Sequence, residues 1–90
     1  MFGLGAKSLP DADGTYRLYV VFDRVAEQSG PIFSAINDGV ALRQYRHIIE
    51  SVDAGTQDEY RLLCLGVYDP NKALVIGLDV AKDITLECIS

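Results

Sequence analysis

The residues of this sequence best suited to chemistry are three basic side chains on one predicted helix. Arg46 and His47 follow Arg43 at offsets of three and four residues, so the three side chains share one helix face. Arginine presents a planar fork of donors that matches a phosphate group, so this face predicts a contact with nucleic acid or with a partner protein. In the competing interpretation the face is simply solvated, and Arg46 pairs with Glu50 one turn later.

Other predicted elements place basic side chains near flat or apolar ones. Arg17 lies two residues before Tyr19 on a predicted strand. Arg61 stands in the same relation to Leu63 on another, and such pairs can meet a phosphate or stack on a base. The alternative is that the strand arginines satisfy neighbouring carboxylates. The full predicted set for binding nucleic acid or a partner is Arg43, Arg46, His47, Arg17, Arg24, Arg61 and Tyr19.

No catalytic or metal-binding constellation is predicted. His47 is the only histidine and follows Arg46 on the predicted helix, so we expect a surface histidine rather than a general base. Asp58 and Glu59 lie in a predicted loop, where turn formation explains them. The run from Asp69 to Lys72 lacks the later ligands of a calcium loop and is predicted to be a tight turn. We therefore expect no enzyme activity, no cofactor and no metal site.

The overall charge limits how the chain can meet nucleic acid. Thirteen acidic and eight basic side chains give a net charge of −5 over 90 residues, which opposes approach to a phosphate backbone. Binding to nucleic acid would therefore need a local basic patch. The length allows one domain, and 49% apolar residues are enough for a folded core.

The cysteines and the N-terminal sequence bear on the compartment. Cys64 and Cys88 lie in predicted strands without metal-ligand spacing, so they are expected to be buried; a disulfide between them stays open. Two cysteines in such a chain favour a reducing compartment, the cytoplasm. The first residues contain no long apolar run, so neither a signal peptide nor a membrane span is expected.

Periodicity and turn residues predict the elements that position these side chains. Asn37 is the expected helix cap, the apolar helix stripe includes Tyr45 and Ile48, and Gly55 is the expected left-handed end. Phe22 and Tyr45 are predicted core residues. The predicted order is an arm over residues 1–14 and one domain over residues 15–90, with a strand at Tyr16–Phe22, a loop or short edge segment through Ile32 and Phe33, a helix at Asp38–Val52, strands at Tyr60–Tyr68 and Ala73–Leu78, and a last strand at Ile84–Ile89.

These elements predict an α+β domain, a small antiparallel sheet of about four strands with one helix packed on one face. One helix covers only one side of such a sheet. Both faces of the first strand and of the strand from Tyr60 carry large apolar residues, among them Val21 and Phe22 on opposite faces of the first. We therefore expect one face or edge to be an interface, and a symmetric homodimer is the commonest solution.

Several short motifs occur in a characteristic order: Phe22-Asp23, Gly30-Pro31-Ile32-Phe33, Asn37-Asp38, then Ala41, Arg43 and Tyr45, then Tyr60 to Gly66 and Tyr68-Asp69. In this order the chain resembles the small nonstructural protein family of gokushovirus-type Microviridae, phages with circular single-stranded DNA. The resemblance spans about residues 16–78. The chain departs from the pattern in its longer N-terminal arm, in Ser29 before the Gly-Pro corner and in Gly39 after the helix cap.

The resemblance implies a nonstructural protein associated with DNA binding or with the synthesis and packaging of viral single strands, without an assigned active site. The first hypothesis is accordingly a non-enzymatic accessory protein that binds single-stranded DNA or the viral replication machinery. The second is an acidic protein-interaction module that binds or inhibits a host or viral protein, which the net charge of −5 favours.

Overall fold

The computed structural model describes residues 14–85, which form an antiparallel sheet curled into a half-barrel with one main helix. The elements are β1 (Tyr16–Asp23), β2 (Gln28–Ser29), β3 (Phe33–Ala35), α1 (Asp38–Ile49), a 3-10 helix (Ala54–Glu59), β4 (Tyr60–Asp69) and β5 (Leu74–Asp83). The strand order is β2-β1-β4-β5, and β3 also pairs with β1. The predicted α+β architecture is therefore confirmed.

Strands β2 and β3 form one broken edge strand along β1. Ser29 of β2 lies opposite Phe22. Phe33 of β3 lies opposite Tyr19, one residue out of the register that β2 sets. Pro31, which lies between the two strands, has no backbone N–H and cannot continue the ladder. The expected Gly-Pro corner and short edge segment are both present.

The helix α1 begins where the sequence predicts. The Oδ1 atom of Asn37 accepts a hydrogen bond from the backbone N–H of Val40 at 2.9 Å, which satisfies one free amide of the first turn. Ala41, Leu42 and Tyr45 are buried against the sheet. The helix is thus fixed at its start by a cap and along its length by one apolar face.

The helix ends three residues earlier than predicted, at Ile49 rather than Val52. The Nε2 atom of Gln57 donates to the carbonyl oxygens of Ile49 and Val52, at 3.1 Å each. Gly55 lies in the 3-10 helix and does not adopt the left-handed conformation, so the prediction of a glycine cap was wrong. The physical reason is that the Gln57 amide satisfies carbonyls that a glycine cap would otherwise serve.

The core lies between α1 and one face of the sheet. Tyr45 is in it, as predicted, whereas Phe22 is only half-buried and was wrongly assigned to the core. Phe22 alternates along β1 with Val21, and it is Val21 that packs toward the helix. The buried residues of this core cluster are Tyr19, Ala35, Ala41, Leu42, Tyr45, Leu62, Cys64 and Ile84; Val20, Val67 and Asp69 are also buried but lie outside it.

The strand β5 is longer and less regular than the sequence predicts. It runs to Asp83, and its register against β4 shifts between Cys64 and Gly66. A Cβ atom at Gly66 would collide with the backbone carbonyl of Ile76, so this strand pair needs glycine there. The predicted turn before β5 is present, since Asp69 Oδ1 accepts from the backbone N–H of Asn71 at 2.9 Å.

The first two residues of the predicted last strand, Ile84 and Thr85, lie beside β4. The backbone N–H of Ile84 donates to the carbonyl of Leu62 at 2.9 Å, and the Leu62 N–H donates to Thr85 Oγ1 at 2.8 Å. Neither Ile84 nor Thr85 belongs to a strand. The remainder of that predicted strand, including Cys88, lies outside the described residues, as does the predicted arm apart from Gly14.

Candidate nucleic-acid interface

The helix α1 carries three basic side chains on its exposed side. Arg43, Arg46 and His47 are all exposed, and the helix turns Ala41 and Tyr45 to the core in the opposite direction. Within residues 14–85, neither Arg43 nor Arg46 forms an ion pair with a carboxylate. The predicted cationic face is therefore present as a structural feature, and its use in binding stays a prediction.

The last turn of the helix gives Arg46 and His47 a second role. The negative end of the helix dipole lies there, and cations in the last turn stabilise it. His47 Nδ1 lies 3.5 Å from Glu50 Oε1, with both side chains largely exposed, so the contact is weak. Glu50 thus approaches His47, whereas the sequence favoured its pairing with Arg46.

The strand arginine Arg61 is held in a separate cluster. Its Nε donates to Asp83 Oδ2 at 2.8 Å, and the same carboxylate accepts from Thr85 Oγ1 at 2.6 Å. Burial opposes ionisation of Asp83, but the hydrogen bonds from Arg61 and Thr85 outweigh it and lower the pKa of Asp83. Arg61 lies opposite Phe22 and therefore belongs to the sheet face that points away from the helix.

The remaining predicted arginines lie away from the helix face. Arg24 follows β1 in a turn, and its Nη1 donates to the carbonyl of Asp58 at 3.4 Å. Arg17 is half-buried on β1 between Ala35 and Val67, and it has an interaction partner of its own. Of the seven predicted binding residues, the fold therefore brings together the three on the helix.

Tyr19 cannot take the binding role that the sequence predicts, because its side chain is fully buried. The hydroxyl donates to Asp38 Oδ1 at 2.6 Å. The ring stacks on Phe33 with 5.7 Å between centroids. Burial, reinforced by the hydrogen bond to Asp38, raises the pKa of Tyr19 far above its usual value. Tyr19 thus joins the helix start to the sheet and presents no ring for stacking on a base.

An apolar cleft of about 330 Å³ lies beside the helix, and the sequence did not predict it. It lies between the C-terminal part of α1, the Gly-Pro corner and the start of β4. We call it the Gly-Pro cleft, after the corner that forms one wall. Its walls include Val21, Gln28, Pro31, Phe33, Ile48 and Tyr60.

A shallower groove follows the helix surface, and Ile48 joins it to the cleft. The groove, of about 420 Å³, is lined by Arg43, Gln44, His47 and Ile48. Ile48 is 48% exposed, although the sequence placed it in the buried apolar stripe. The cleft was missed because the apolar periodicity placed Ile48 in the buried stripe, and the exposure of Ile48 follows only from the packed structure. Arg46 does not line the groove.

The described residues offer little for metal binding or for thiol chemistry. Among residues 14–85, no group of three or more histidines, cysteines and acidic residues could hold a metal ion. Cys64 is buried, and burial raises the pKa of its thiol, which leaves it unreactive. No helix within that range is long and apolar enough to cross a membrane.

Fold and surface together define a small α+β domain with a cationic helix face next to an apolar cleft. The sequence model of the phage ORF5 protein family matches residues 16–88, well over half of the chain. The chain therefore belongs to the phage ORF5 protein family. Comparison with curated proteins and with solved structures finds no match to this sequence.

Proposed function

We propose that this phage protein is a non-enzymatic accessory protein that binds single-stranded DNA, or the replication machinery that carries it, during genome replication or packaging. Its phage origin follows from the ORF5 family. The finer placement, in a gokushovirus-type member of the Microviridae acting in the host cytoplasm, rests on the sequence resemblance.

The observation that carries this proposal is the exposure of Arg43 and Arg46 together with their lack of a carboxylate partner in the described part of the chain. They are exposed on one helix and have no carboxylate partner among residues 14–85, whereas Arg61 is tied to Asp83. Unpaired guanidinium groups can bind phosphates without first breaking an ion pair. His47 adds a third donor at the same surface, where a phosphate would compete with Glu50.

The net charge of −5 makes the location of these cations important. A uniformly acidic surface would repel a phosphate backbone over about a Debye length. A local cationic face overcomes this repulsion only at short range and at moderate salt. We therefore expect weak binding with a clear salt dependence, consistent with a protein that hands DNA on.

Fluorescence anisotropy with labelled oligo(dT) over a salt series tests the proposal. Affinity falls with salt, and each phosphate contact adds about 0.7 to the magnitude of the slope of log affinity against log salt for a single strand. Replacing Arg43 and Arg46 by alanine should therefore reduce the magnitude of the slope by about 1.4. The matched control replaces Lys72 and Lys82 by alanine, which changes the net charge equally on β5 and its preceding turn. Absence of binding by the wild-type protein even at low salt rejects direct DNA binding.

A second candidate function is the acidic protein-interaction module, and the outer sheet face favours it. Phe22 and Leu63 are only half-buried there, and Tyr16 and Tyr68 are exposed. Pairing of this face between two copies would give the expected homodimer. Sedimentation over a range of protein concentrations, with Phe22→Lys and Leu63→Lys variants, tests the dimer. A wild-type protein that stays monomeric rules it out, and a pull-down from host lysate without a specific partner counts against the module.

A further inference from the structure

The Gly-Pro cleft and the groove on the helix surface adjoin at Ile48, which lines both. One side of Ile48 faces an apolar cavity between the helix and the sheet. The other side faces Arg43 and His47. A ligand that follows this surface would meet an apolar, flat-walled space first and two potential cations next. The arrangement of an apolar cleft next to two basic side chains, rather than either part alone, indicates the class of ligand.

We propose that the Gly-Pro cleft receives a base of single-stranded DNA while the neighbouring phosphate lies against Arg43 and His47. This inference rests on the proposed function and specifies how the same surface holds its ligand. A nucleotide combines a flat, largely apolar base with an adjacent anion, which matches the sequence of walls along the surface. An apolar peptide would match the cleft but would gain nothing from the two basic side chains.

The walls of the cleft suit a flat, polar-edged group. Phe33 and Tyr60 supply aromatic surface, and Pro31 supplies a rigid apolar edge. The volume of about 330 Å³ lies at the small end of the range for ligand pockets, which start near 300 Å³. A single base with its sugar is therefore a better match than a larger ligand.

Polar groups at the rim can contact the edge of a base. Gln28 and Ser29 line the cleft, are exposed, and have no hydrogen-bond partner for their side chains among residues 14–85. A glutamine amide offers both donors and an acceptor, and a serine hydroxyl offers one of each. Asp23 also lines the cleft, but its Oδ1 already accepts from the N–H groups of Val25 and Ala26. The rim can therefore meet different bases, as a sequence-tolerant binder requires.

The test compares two probes with the same phosphates. One is labelled oligo(dT), and the other is an oligonucleotide of equal length in which every base is replaced by an abasic tetrahydrofuran unit. Stacking of one base contributes about fivefold or more to affinity, so wild-type protein should bind oligo(dT) at least about fivefold more tightly than the abasic strand. The two salt slopes should be alike, because the phosphate contacts are alike.

Two isoleucine variants connect this preference to the cleft. Ile48→Ser removes the apolar wall shared by cleft and groove, and it should lower affinity for oligo(dT) about fivefold and affinity for the abasic strand by less, so that the preference for oligo(dT) shrinks. Ile36→Ser is the matched control, because Ile36 is also exposed, at 65% against 48%, and lies outside the cleft. Circular dichroism verifies that both variants fold.

Nuclear magnetic resonance gives a second readout that does not depend on the variants. Oligo(dT) should shift the side-chain resonances of Phe33 and Tyr60, whereas the abasic strand should shift only resonances near Arg43 and His47. Equal affinity for the two probes, with no shift at Phe33 or Tyr60, overturns the base-binding inference and leaves phosphate binding standing. Failure of both probes to bind at low salt rejects the proposed function itself, and the inference with it.

Discussion

Arg61 and Arg43 are the same side chain in two settings, one on each side of the molecule. Arg61 lies on the outer sheet face, where Asp83 and Thr85 complete a hydrogen-bonded cluster around it. Arg43 lies on the exposed helix surface without a carboxylate partner in the described part of the chain. The first arginine contributes to the fold, and the second is available to a ligand. Residue type alone therefore does not distinguish the two settings, whereas the partners of each side chain do.

The largest expected effect comes from the residue that anchors the Arg61 cluster to the core. Ile84 is fully buried and lies between Asp83 and Thr85. Ile84→Ala should destabilise the protein by about 2–4 kcal/mol, because it removes buried methyl groups and leaves a cavity. Urea unfolding followed by circular dichroism measures this change. A loss below about 1 kcal/mol would show that this end of the sheet does not depend on the core contact.

A smaller effect separates the two arginines directly. Arg61→Ala should cost about 1 kcal/mol, because its hydrogen bond to Asp83 is short and the guanidinium is partly buried. Arg43→Ala should change stability by less than about 0.5 kcal/mol. The same urea titrations measure both values, and DNA binding should show the reverse order of sensitivity. Equal losses of stability would contradict the distinction between the two settings.

The smallest expected effect is on the pH dependence of stability. Because the pKa of Asp83 is lower in the folded state, its ionised form contributes stability above the unfolded pKa near 3.9, and this contribution is lost as pH falls through the lowered value. The stability difference between wild type and Asp83→Asn should therefore be full near neutral pH and shrink in acid. Unfolding curves across acidic pH check this, and a difference independent of pH would contradict it.

Much of the fold could be predicted because local signals agree with the tertiary structure. Asn37 caps the helix, Pro31 breaks the edge strand, and Tyr45 faces the core. Each of these features is determined by the residue type and by residues nearby in the sequence. The helix end and the course of β5 were less predictable. The helix end depends on the distant Gln57 amide, and β5 follows an irregular register against β4 that no periodicity encodes.

The candidate surface was predicted only in part. Spacing on one helix places Arg43, Arg46 and His47 together, since helical geometry fixes that relation. The burial of Tyr19 depends on Asp38 and Phe33, which lie 19 and 14 residues away along the chain. The Gly-Pro cleft is lined by residues that lie far apart along the chain, from Val21 to Tyr60, and so it becomes visible only once the helix and the strands are packed.

The break at Pro31 also affects how copies of this protein behave at high concentration. An unbroken edge strand presents a row of unpaired N–H and C=O groups on which another chain can add a strand. Here that edge is divided into β2, of two residues, and β3, of three, with a proline between them. Neither piece is long enough to template a stable ladder. We therefore expect the Gly-Pro corner to protect this edge against the addition of a strand from another copy, whereas the other edge of the described sheet is β5, a strand of ten residues.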